Sequence, residues 1–600
     1  MFKFKLSYVA FASVLASTCV YADPTSWTHQ SGATVIDIEA PNAAGVSHNM
    51  YREFNVSDKG TVLNNSATDV SHASLGNLTK NNNLAGGKAA TVILNEVISN
   101  KSSALNGFIE VNGQKADVII ANPNGISCSG CSFINTNKAV LTTGNVKLSD
   151  TGAIASYNVT GGRINVDSRG MNAADSYAVL LADAISLNGV VNASNALISA
   201  GNSTLDNTTG VVTSAGKSAN LMQLLIPEYS IDISSLGGVK ANNITMVGNN
   251  LGFGVRNKGA VVANSTLAMT SYGSLINEGA INGNGYVTQL VSAGELKNSG
   301  TIATNNIAAI KSMGALSNAG TISNTSQMTI SSTGNLENTG TIAGTNALSV
   351  STSGDLTTTY GSKLKSDNQL SVAALGNITN GGSTYALNTN MAFGGESLKV
   401  TGNILGQNTL LIQAAKNGTA TSGEITNAGT ISGNNVTVTT EGTLATTAGS
   451  TLRGETSLNT HSYWLNNLGS ISTGDNGEMY LDNMVLTNNK AYIVGGKNIH
   501  INTYLDMVNT GTIQSYGDLT IDTQNFGTIT NQNYIVANGT MTLKAKKVVN
   551  GGYRCGFLNM STCGVGTLAA NKLILNSSHN YATDMGGKQS FKSIETNTVK

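Results

Sequence analysis

The chain reads as an all-β fold, a right-handed parallel β-helix of the single-stranded, pectate-lyase-like kind, and three observations predict it. The first is a repeat. From residue 273 the sequence runs GSLINEGAI, GELKNSGTI, GALSNAGTI and GNLENTGTI, setting Asn277, Asn298, Asn318 and Asn338 at spacings of 21, 20 and 20. Self-similarity at such a period marks a stacked array. The second is alternation inside each unit: Leu316, Asn318, Gly320 and Ile322 fall two apart, the spacing of one face of a strand. The third is composition. The 600 residues include 68 glycines but only 4 prolines, and 11% are charged, less than half the roughly 25% of an ordinary soluble domain. Stacking accounts for the deficit, because a like charge repeated in every coil would repel itself.

A second strand is expected in each unit, giving two or three short strands per 20 residues. Ala308 with Ile310, Met328 with Ile330, and Leu348 with Val350 recur on the same 20-residue shift, and Gly314, Gly334 and Gly354 restart the motif. Degenerate copies carry Asn427, Asn467 and Asn509. Between 357 and 375 the pattern lapses, which predicts a loop or an irregular coil there. Stacked at the inter-strand spacing, roughly 28 coils would form a rod on the order of 130 Å long. Inward asparagines at a fixed corner are expected to bond the neighbouring coil's backbone and one another.

The N-terminus reads as a cleaved signal peptide over residues 1–22. Lys3 and Lys5 precede an apolar run from Leu6 to Val20, and Val20-Tyr21-Ala22 is a small-residue cleavage site between Ala22 and Asp23. The run is too short to span a bilayer. An exported chain meets an oxidising compartment. Of its 5 cysteines, cleavage removes Cys19 and leaves Cys128, Cys131, Cys555 and Cys563. Two short-range disulfides, Cys128–Cys131 and Cys555–Cys563, are the economical pairing. Zinc needs a fourfold Cys/His/carboxylate set, and the histidine nearest in sequence to the first pair is His72.

Several function classes are disfavoured. The formal net charge is zero and no Lys/Arg cluster is present, so nucleic acid is not an expected partner. The 6 histidines are scattered, and no hydrolase, phosphate-loop or calcium-repeat motif occurs. No catalytic residue, cofactor or metal is therefore expected. His48 sits in GVSHNMY without an accompanying acid, base or nucleophile and reads as structural or as part of a recognition surface. The apolar stretch LMQLLIPEY, residues 221–229, reads as a buried strand. Sequons such as Asn243-Ile-Thr245 are no more frequent than this Asn/Ser/Thr-rich composition supplies by chance.

Residues 34–262 carry four ordered blocks: IDIEAPNAAGVSHNMYREFNVSDKGTVLNNS, NNNLAGGKAATVILNEV, ALNGFIEVNGQKADVIIANPNGISCSGCSFINT and SIDISSLGGVKANNITMVGNNLGFGVRNKGAV. In order and spacing these resemble the secretion domain of two-partner-secreted exoproteins, the filamentous haemagglutinin, haemolysin and contact-dependent-inhibition superfamily. The resemblance implies a secretion (haemagglutination activity) domain over 23–260, β-helical repeats over 261–550, and a C-terminal segment with a Cys pair over 551–600. It implies an N-terminal cap and extra-helical hairpins as well.

Within it, Asn122-Pro123-Asn124-Gly125-Ile126 matches the second Asn-Pro-Asn motif of the family, a tight turn in which Pro123 presets φ and Asn124-Gly125 tolerates left-handed geometry. The companion motif is Asn81-Asn82-Asn83-Leu84, with Asn82 where the family has proline. The Cys-x-x-Cys that follows resembles the haemolysin and growth-inhibition branch, as a loop staple.

The resemblance further implies export, via the periplasm, through a dedicated outer-membrane β-barrel bearing periplasmic POTRA domains. The product would be secreted or held at the cell surface, in a Gram-negative outer-membrane setting. An adhesin or haemagglutinin-like virulence factor is the expected function, with the receptor unspecified. A haemolysin/cytolysin, or the N-terminal part of a contact-dependent growth-inhibition toxin carrier, is the alternative. The cysteine pair favours that alternative. The close of the sequence at SFKSIETNTVK, without a toxin domain, disfavours it.

Overall fold

The structure is a computed structural model and describes residues 23–72, 75–214, 229–414, 423–551, 554–555, 561–562, 565–577 and 587–598. Strands account for nearly all the regular structure, and they wind as a parallel β-solenoid of about 22 turns. A regular coil holds three strands, for example Leu316–Asn318, Thr321–Asn324 and Gln327–Ser332. Each pairs in parallel with its counterparts one coil before and after. Leu296, Leu316 and Leu336 stack on the first face, Ile302, Ile322 and Ile342 on the second, and Ile310, Ile330 and Val350 on the third. All nine are at most 1% exposed and line one continuous core.

The Leu-x-Asn-x-Gly-x-Ile segment is thus inward-facing as expected, but it spans two faces rather than one strand. The corner falls at Ala319-Gly320, and glycine is required there. A Cβ on Gly320 would sit 2.0 Å from the Gly300 carbonyl oxygen of the coil below. A hydroxyl row was not read from the sequence: Ser292, Ser312, Ser332 and Thr352 end the third-face strands and point inward, with Ser292 Oγ donating to Ser312 Oγ at 3.3 Å.

The asparagines form ladders. Asn257 Nδ2 donates to Asn277 Oδ1, Asn277 to Asn298, Asn298 to Asn318 and Asn318 to Asn338, all at 2.7–2.8 Å. A second run joins Asn467, Asn489, Asn509, Asn531 and Asn550 at 2.7–2.8 Å. Each rung also reaches the next coil's backbone, as Asn318 Nδ2 does to the Thr341 carbonyl at 3.2 Å. A buried primary amide offers two donors and two lone pairs, and this corner uses both kinds.

Two expectations change. The stretch 357–375 is a regular coil with strands Leu356–Thr358, Lys363–Ser366 and Gln369–Ala374. Thr358 takes the rung and donates through Oγ1 to Asn380 Oδ1 at 2.9 Å. The repeat is disguised because the corner after it lengthens by two residues, so that Ile342 pairs with Leu364. The rod is also shorter than 28 coils, at about 22 turns, or on the order of 100 Å. Early coils spend extra chain on excursions: Val46 pairs with Val92, and Asn195 with Asn243.

Those excursions shape the N-terminal third. Ser26–Thr28 pairs antiparallel with Thr34–Asp37, and a small core of Val35, Val62, Leu75 and Leu78, with Trp27 and Phe108 against it, closes that end. Asn145–Leu148, Ile154–Val159, Ser203–Asp206 and Val212–Ser214 form an antiparallel sheet outside the solenoid. It covers Val46, Leu94, Ile119, Val140, Val179 and Leu197, the outward side chains of the third face. The continuous apolar run Val118-Ile119-Ile120-Ala121 is buried on both sides for this reason.

Because Leu316 and Ile322 face inward while Ser317 and Ala319 do not, charging the two sets should have unequal effects. Burying an unpaired ionised group costs several kcal/mol, whereas an exposed substitution usually stays within about 0.5 kcal/mol. Leu316→Asp or Ile322→Asp is expected to open limited proteolysis between residues 300 and 340, with Ser317→Asp and Ala319→Asp as resistant as the parent. Equal cleavage of both sets would contradict the inward register.

Candidate functional site

Two asparagine turns in the N-terminal third share one construction. In the second, the Asn122 amide N–H joins the Thr142 carbonyl at 2.9 Å, so the residue is anchored in the ladder to the next coil. Its Oδ1 accepts the Asn124 N–H at 3.0 Å, and Gly125 N–H closes the turn on the Asn122 carbonyl at 3.1 Å. The Asn122 side chain is buried, and its Nδ2 reaches back to the Lys101 carbonyl and Ser103 Oγ at 2.9 and 3.0 Å. Asn124 Nδ2 donates to the Ser99 carbonyl at 2.7 Å. One tripeptide therefore ties the coil before it to the coil after it. Pro123 and Asn124 are exposed at its tip, and Gly125, at φ +113°, holds a conformation other residues rarely take. Ile126 is buried beneath it and begins the strand Ile126–Cys128.

The first turn repeats the scheme without proline. Asn82–Leu84 is a short 3₁₀ turn capped by Asn81, whose Oδ1 accepts the Asn83 N–H at 2.9 Å. Leu84 N–H returns to the Asn81 carbonyl at 3.1 Å, and the buried Asn81 donates to the Ile38 and Asn64 carbonyls at 2.8 and 2.9 Å. Asn83 Nδ2 reaches the Ile38 carbonyl at 3.2 Å, and Leu84 is buried. The same Asn Oδ1 cap bond thus closes both turns, and the first makes it with Asn82 in the place of proline. Around it lies a network not anticipated from sequence. Asn65 brackets Ala90 with Nδ2 to its carbonyl at 2.8 Å and Oδ1 from its N–H at 2.7 Å, and Asn112 donates to Asn64 at 2.9 Å. The signal for it was the Asn64-Asn65 pair inside an apolar strand, Thr61–Asn65, buried throughout.

Cys128 and Cys131 are bonded, with Cα atoms 5.3 Å apart and both residues buried. The bond closes a four-residue corner between Ile126–Cys128 and Cys131–Ile134. Cys563, Ala22 and residues 221–228 of the apolar stretch lie outside the described residues. Tyr229, which closes that stretch, starts the strand Tyr229–Ile233 and lies under the Arg256 guanidinium, 4.3 Å from its ring centre. His48 is half-buried and paired with Glu96, Nε2 to Oε2 at 2.7 Å. Among the described residues no group of three or more His, Cys, Asp or Glu is arranged to hold a metal ion.

Beside the extra-helical sheet, burial pushes the Asp117 carboxyl above its usual range, and the Lys138 charge only partly opposes the shift. Burial also raises the Tyr157 phenol, and the Asp117 charge adds to it. Tyr51 is raised by burial, then by Asp23 and Glu39, while its hydroxyl donates to Asn95 at 3.0 Å.

Comparison with known proteins places these turns in context. Residues 20–288 match the family described as the TPS secretion domain. The chain is 36% identical over 280 residues to the tRNA nuclease CdiA of Yersinia mollaretii, a span covering 46% of this chain and 9% of that protein. Residues 20–288 of the chain are thus a two-partner secretion domain. Toxin CdiA of Yersinia pestis is 34% identical over 282 residues, 46% of this chain and 8% of that one. The crystal structure of the filamentous hemagglutinin secretion domain is 30% identical and covers 51% of this chain and 94% of that domain, with a TM-score of 0.39. The chain spans under a tenth of the length of the curated relatives named here. A chain that carries this domain is a secreted or cell-surface protein exported via the outer membrane.

Two outcomes follow for this region. Asn122→Leu leaves the Lys101 carbonyl and the Asn124 N–H without partners, an orphaning that costs about 1–3 kcal/mol. Gly125→Ala adds backbone strain of about 1–3 kcal/mol, whereas Pro123→Ala should change stability by about 1 kcal/mol or less. Urea titrations of the full chain, followed by protease susceptibility, should rank them so; a Pro123 variant as damaged as Asn122→Leu would contradict the ranking.

The Asp117 shift sets a sign for pH. The native state holds this proton above the pH where the unfolded chain releases it, near 4. The native stability therefore falls as pH rises through that window, and Asp117→Asn should remove the fall. Urea midpoints at pH 4 and pH 7 check it: parallel pH slopes for parent and variant would refute the assignment.

Proposed function

We propose that the chain is a rod-shaped adhesin whose two asparagine turns belong to the segment read by its outer-membrane transporter. The observation that carries the proposal is their shared construction. In each, a buried asparagine ties separate coils together while the tip of the turn stays exposed, so each turn is at once a fold determinant and an accessible feature. Asn81, Asn83, Leu84, Asn122, Pro123, Asn124, Gly125 and Ile126 are the residues assigned to this role. The unfolded N-terminal region would be bound in the periplasm by the transporter's POTRA domains, and the chain would coil outside.

Physics supports this order of events. Coils contact only their neighbours, so growth can proceed from one end as chain emerges, and a disulfide closing four residues does not obstruct a threaded chain. The residues that match the secretion domain resemble a structural, non-enzymatic region. The CdiA relatives favour a second reading, the N-terminal part of a contact-dependent inhibition toxin carrier. Co-culture with target bacteria, scored for growth arrest, separates the two.

Export is tested by co-expressing the full chain with its transporter. The double change Asn122→Leu, Asn124→Leu is expected to leave the chain in the periplasm, where it is degraded, while the core variant Leu316→Asp still reaches the medium. Normal secretion of the double variant would overturn the role given to the turn.

A further inference from the structure

Lys138 and Asp117 interrupt the column in which they stand. Where the outer antiparallel sheet covers it, the third face turns mostly apolar side chains outward. In one of its columns Val92 precedes Asp117 and Tyr177 follows Lys138, and both flanking residues pack against the core under the sheet. The ladder bends to admit the pair. Ala116 pairs with Thr136 and Val118 with Ala139, so Asp117 by itself faces two residues, Asn137 and Lys138. Such a bulge re-aims the side chains beside it. Asp117 and Lys138 are both half-buried.

Asn207, on the covering sheet, meets them. It follows the strand Ser203–Asp206 and is clamped to the neighbouring strand, its N–H donating to the Ala155 carbonyl at 2.9 Å and its Nδ2 to the Ile154 carbonyl at 3.1 Å. The amide oxygen is left facing Lys138, whose Nζ lies 3.5 Å from Oδ1. That is longer than a good hydrogen bond, and the carbonyl carbon is one bond further on. The Asp117 charge acts on Lys138 and on the buried Tyr157 alike. Burial lifts this carboxyl above its usual range, with Lys138 opposing in part, so that it holds a proton more readily. Asp206 is not a rival acid, because its carboxylate accepts the Thr208 and Thr209 N–H groups at 2.9 and 2.8 Å. A primary amine, a carboxamide and a protonatable carboxyl thus come together under a covering sheet.

We propose that Lys138 and Asn207 join as an intramolecular isopeptide bond, with Asp117 carrying the protons. The step balances without any added reagent. In an apolar surround the ammonium passes a proton to the Asp117 carboxylate, leaving a neutral amine and a neutral acid. The Nζ lone pair attacks Asn207 Cγ, and the Asp117 proton goes to Oδ1. The carboxylate so formed takes a proton from Nζ and delivers it to Nδ2. The Cγ–Nδ2 bond breaks, ammonia leaves, and the Oδ1 proton returns to Asp117. Amine and carboxamide become one secondary amide and ammonia, and nothing is oxidised or reduced. The two residues are 69 apart in sequence, so they meet only once the coils have stacked and the sheet has closed over them. The bond fastens the outer sheet to the solenoid after folding, whether the rod serves as an adhesin or as a toxin carrier.

The test weighs the full mature chain by mass spectrometry after reduction and denaturation. The parent is expected to be lighter than its sequence by one ammonia. Trypsin should leave the chain uncut at Lys138, and the peptide that carries it should stay joined to the one that carries Asn207. Lys138→Arg, which keeps the charge but offers no nucleophilic amine, should show its full mass, as should Asn207→Ala. In a time course after a pulse of synthesis, Asp117→Asn should gain the link about a hundredfold more slowly. Unchanged circular dichroism identifies folded variants, and where one fails to fold the parent's own mass and peptide map still decide.

A parent at its full sequence mass, with Lys138 acetylated in denaturant like any other lysine, would overturn the proposal. So would a loss of ammonia that maps to an Asn-Gly step such as Asn188-Gly189, which would mean a succinimide. A link from Lys138 to any residue other than Asn207, or one that forms in Asp117→Asn at the parent's rate, would overturn it as well.

Discussion

Everything in this molecule depends on parallel in-register stacking, in which almost every side chain faces a counterpart about 20 residues away. The spacing between coils is that of paired strands, about 4.8 Å. At that distance a residue type must be compatible with itself. Leucine and isoleucine are, because their columns pack into a continuous core. Asparagine is as well, since its amide can donate upward and accept from below in the same conformation, as the run from Asn257 to Asn338 does. Lysine and glutamate are not, and where charges occur they tend to stack on an opposite or neutral neighbour: Lys258 lies 3.6 Å from Glu278, and Ser317 separates Lys297 from Glu337.

The same constraint makes the first coils special. A coil in the middle of the rod is templated by the one beneath it, but the first has nothing beneath it. The N-terminal third answers with features the repeats lack. A capping hairpin and small core close the end. An outer antiparallel sheet buries the second side of the third face. Asparagine turns make bonds to two coils at once. These are local devices that hold early coils in register before a long ladder exists. Their concentration within the residues that match the secretion domain joins the physics of nucleation to the biology of export.

Chemistry is sparse along the rod, and its exceptions are informative. A chain built from Asn, Ser, Thr and Gly presents a neutral surface with few anchors, so an amine, an amide and a carboxyl gathered under one outer sheet stand out against it. A bulge opposite Asp117 helps to gather them, an irregularity that the plain repeat, whose strands pair residue for residue, does not carry.

The sequence by itself determined the architecture. A period of 20 with alternation of two leaves few ways to bury Leu316, Asn318 and Ile322, and the expected asparagine bonding followed because a buried amide must find partners. The Asn-x-Asn turns were expected from the family resemblance, and the Cys128–Cys131 bond from the even count of cysteines left in an oxidising compartment. Tertiary structure alone decided what depends on the neighbouring coil. The repeat is compatible with two or three strands per coil, and three form because a corner falls where the Gly300 carbonyl approaches Gly320. Thr358 holds a ladder rung because Asn380, 22 residues on, presents its oxygen there. Residues 145–159 and 203–214 form one outer sheet, though far apart in the chain, because the third face leaves Ile119, Val140 and Val179 pointing outward. A one-dimensional pattern records which side chains repeat. It does not record which coil they meet, and in a stacked fold that meeting sets every corner and excursion.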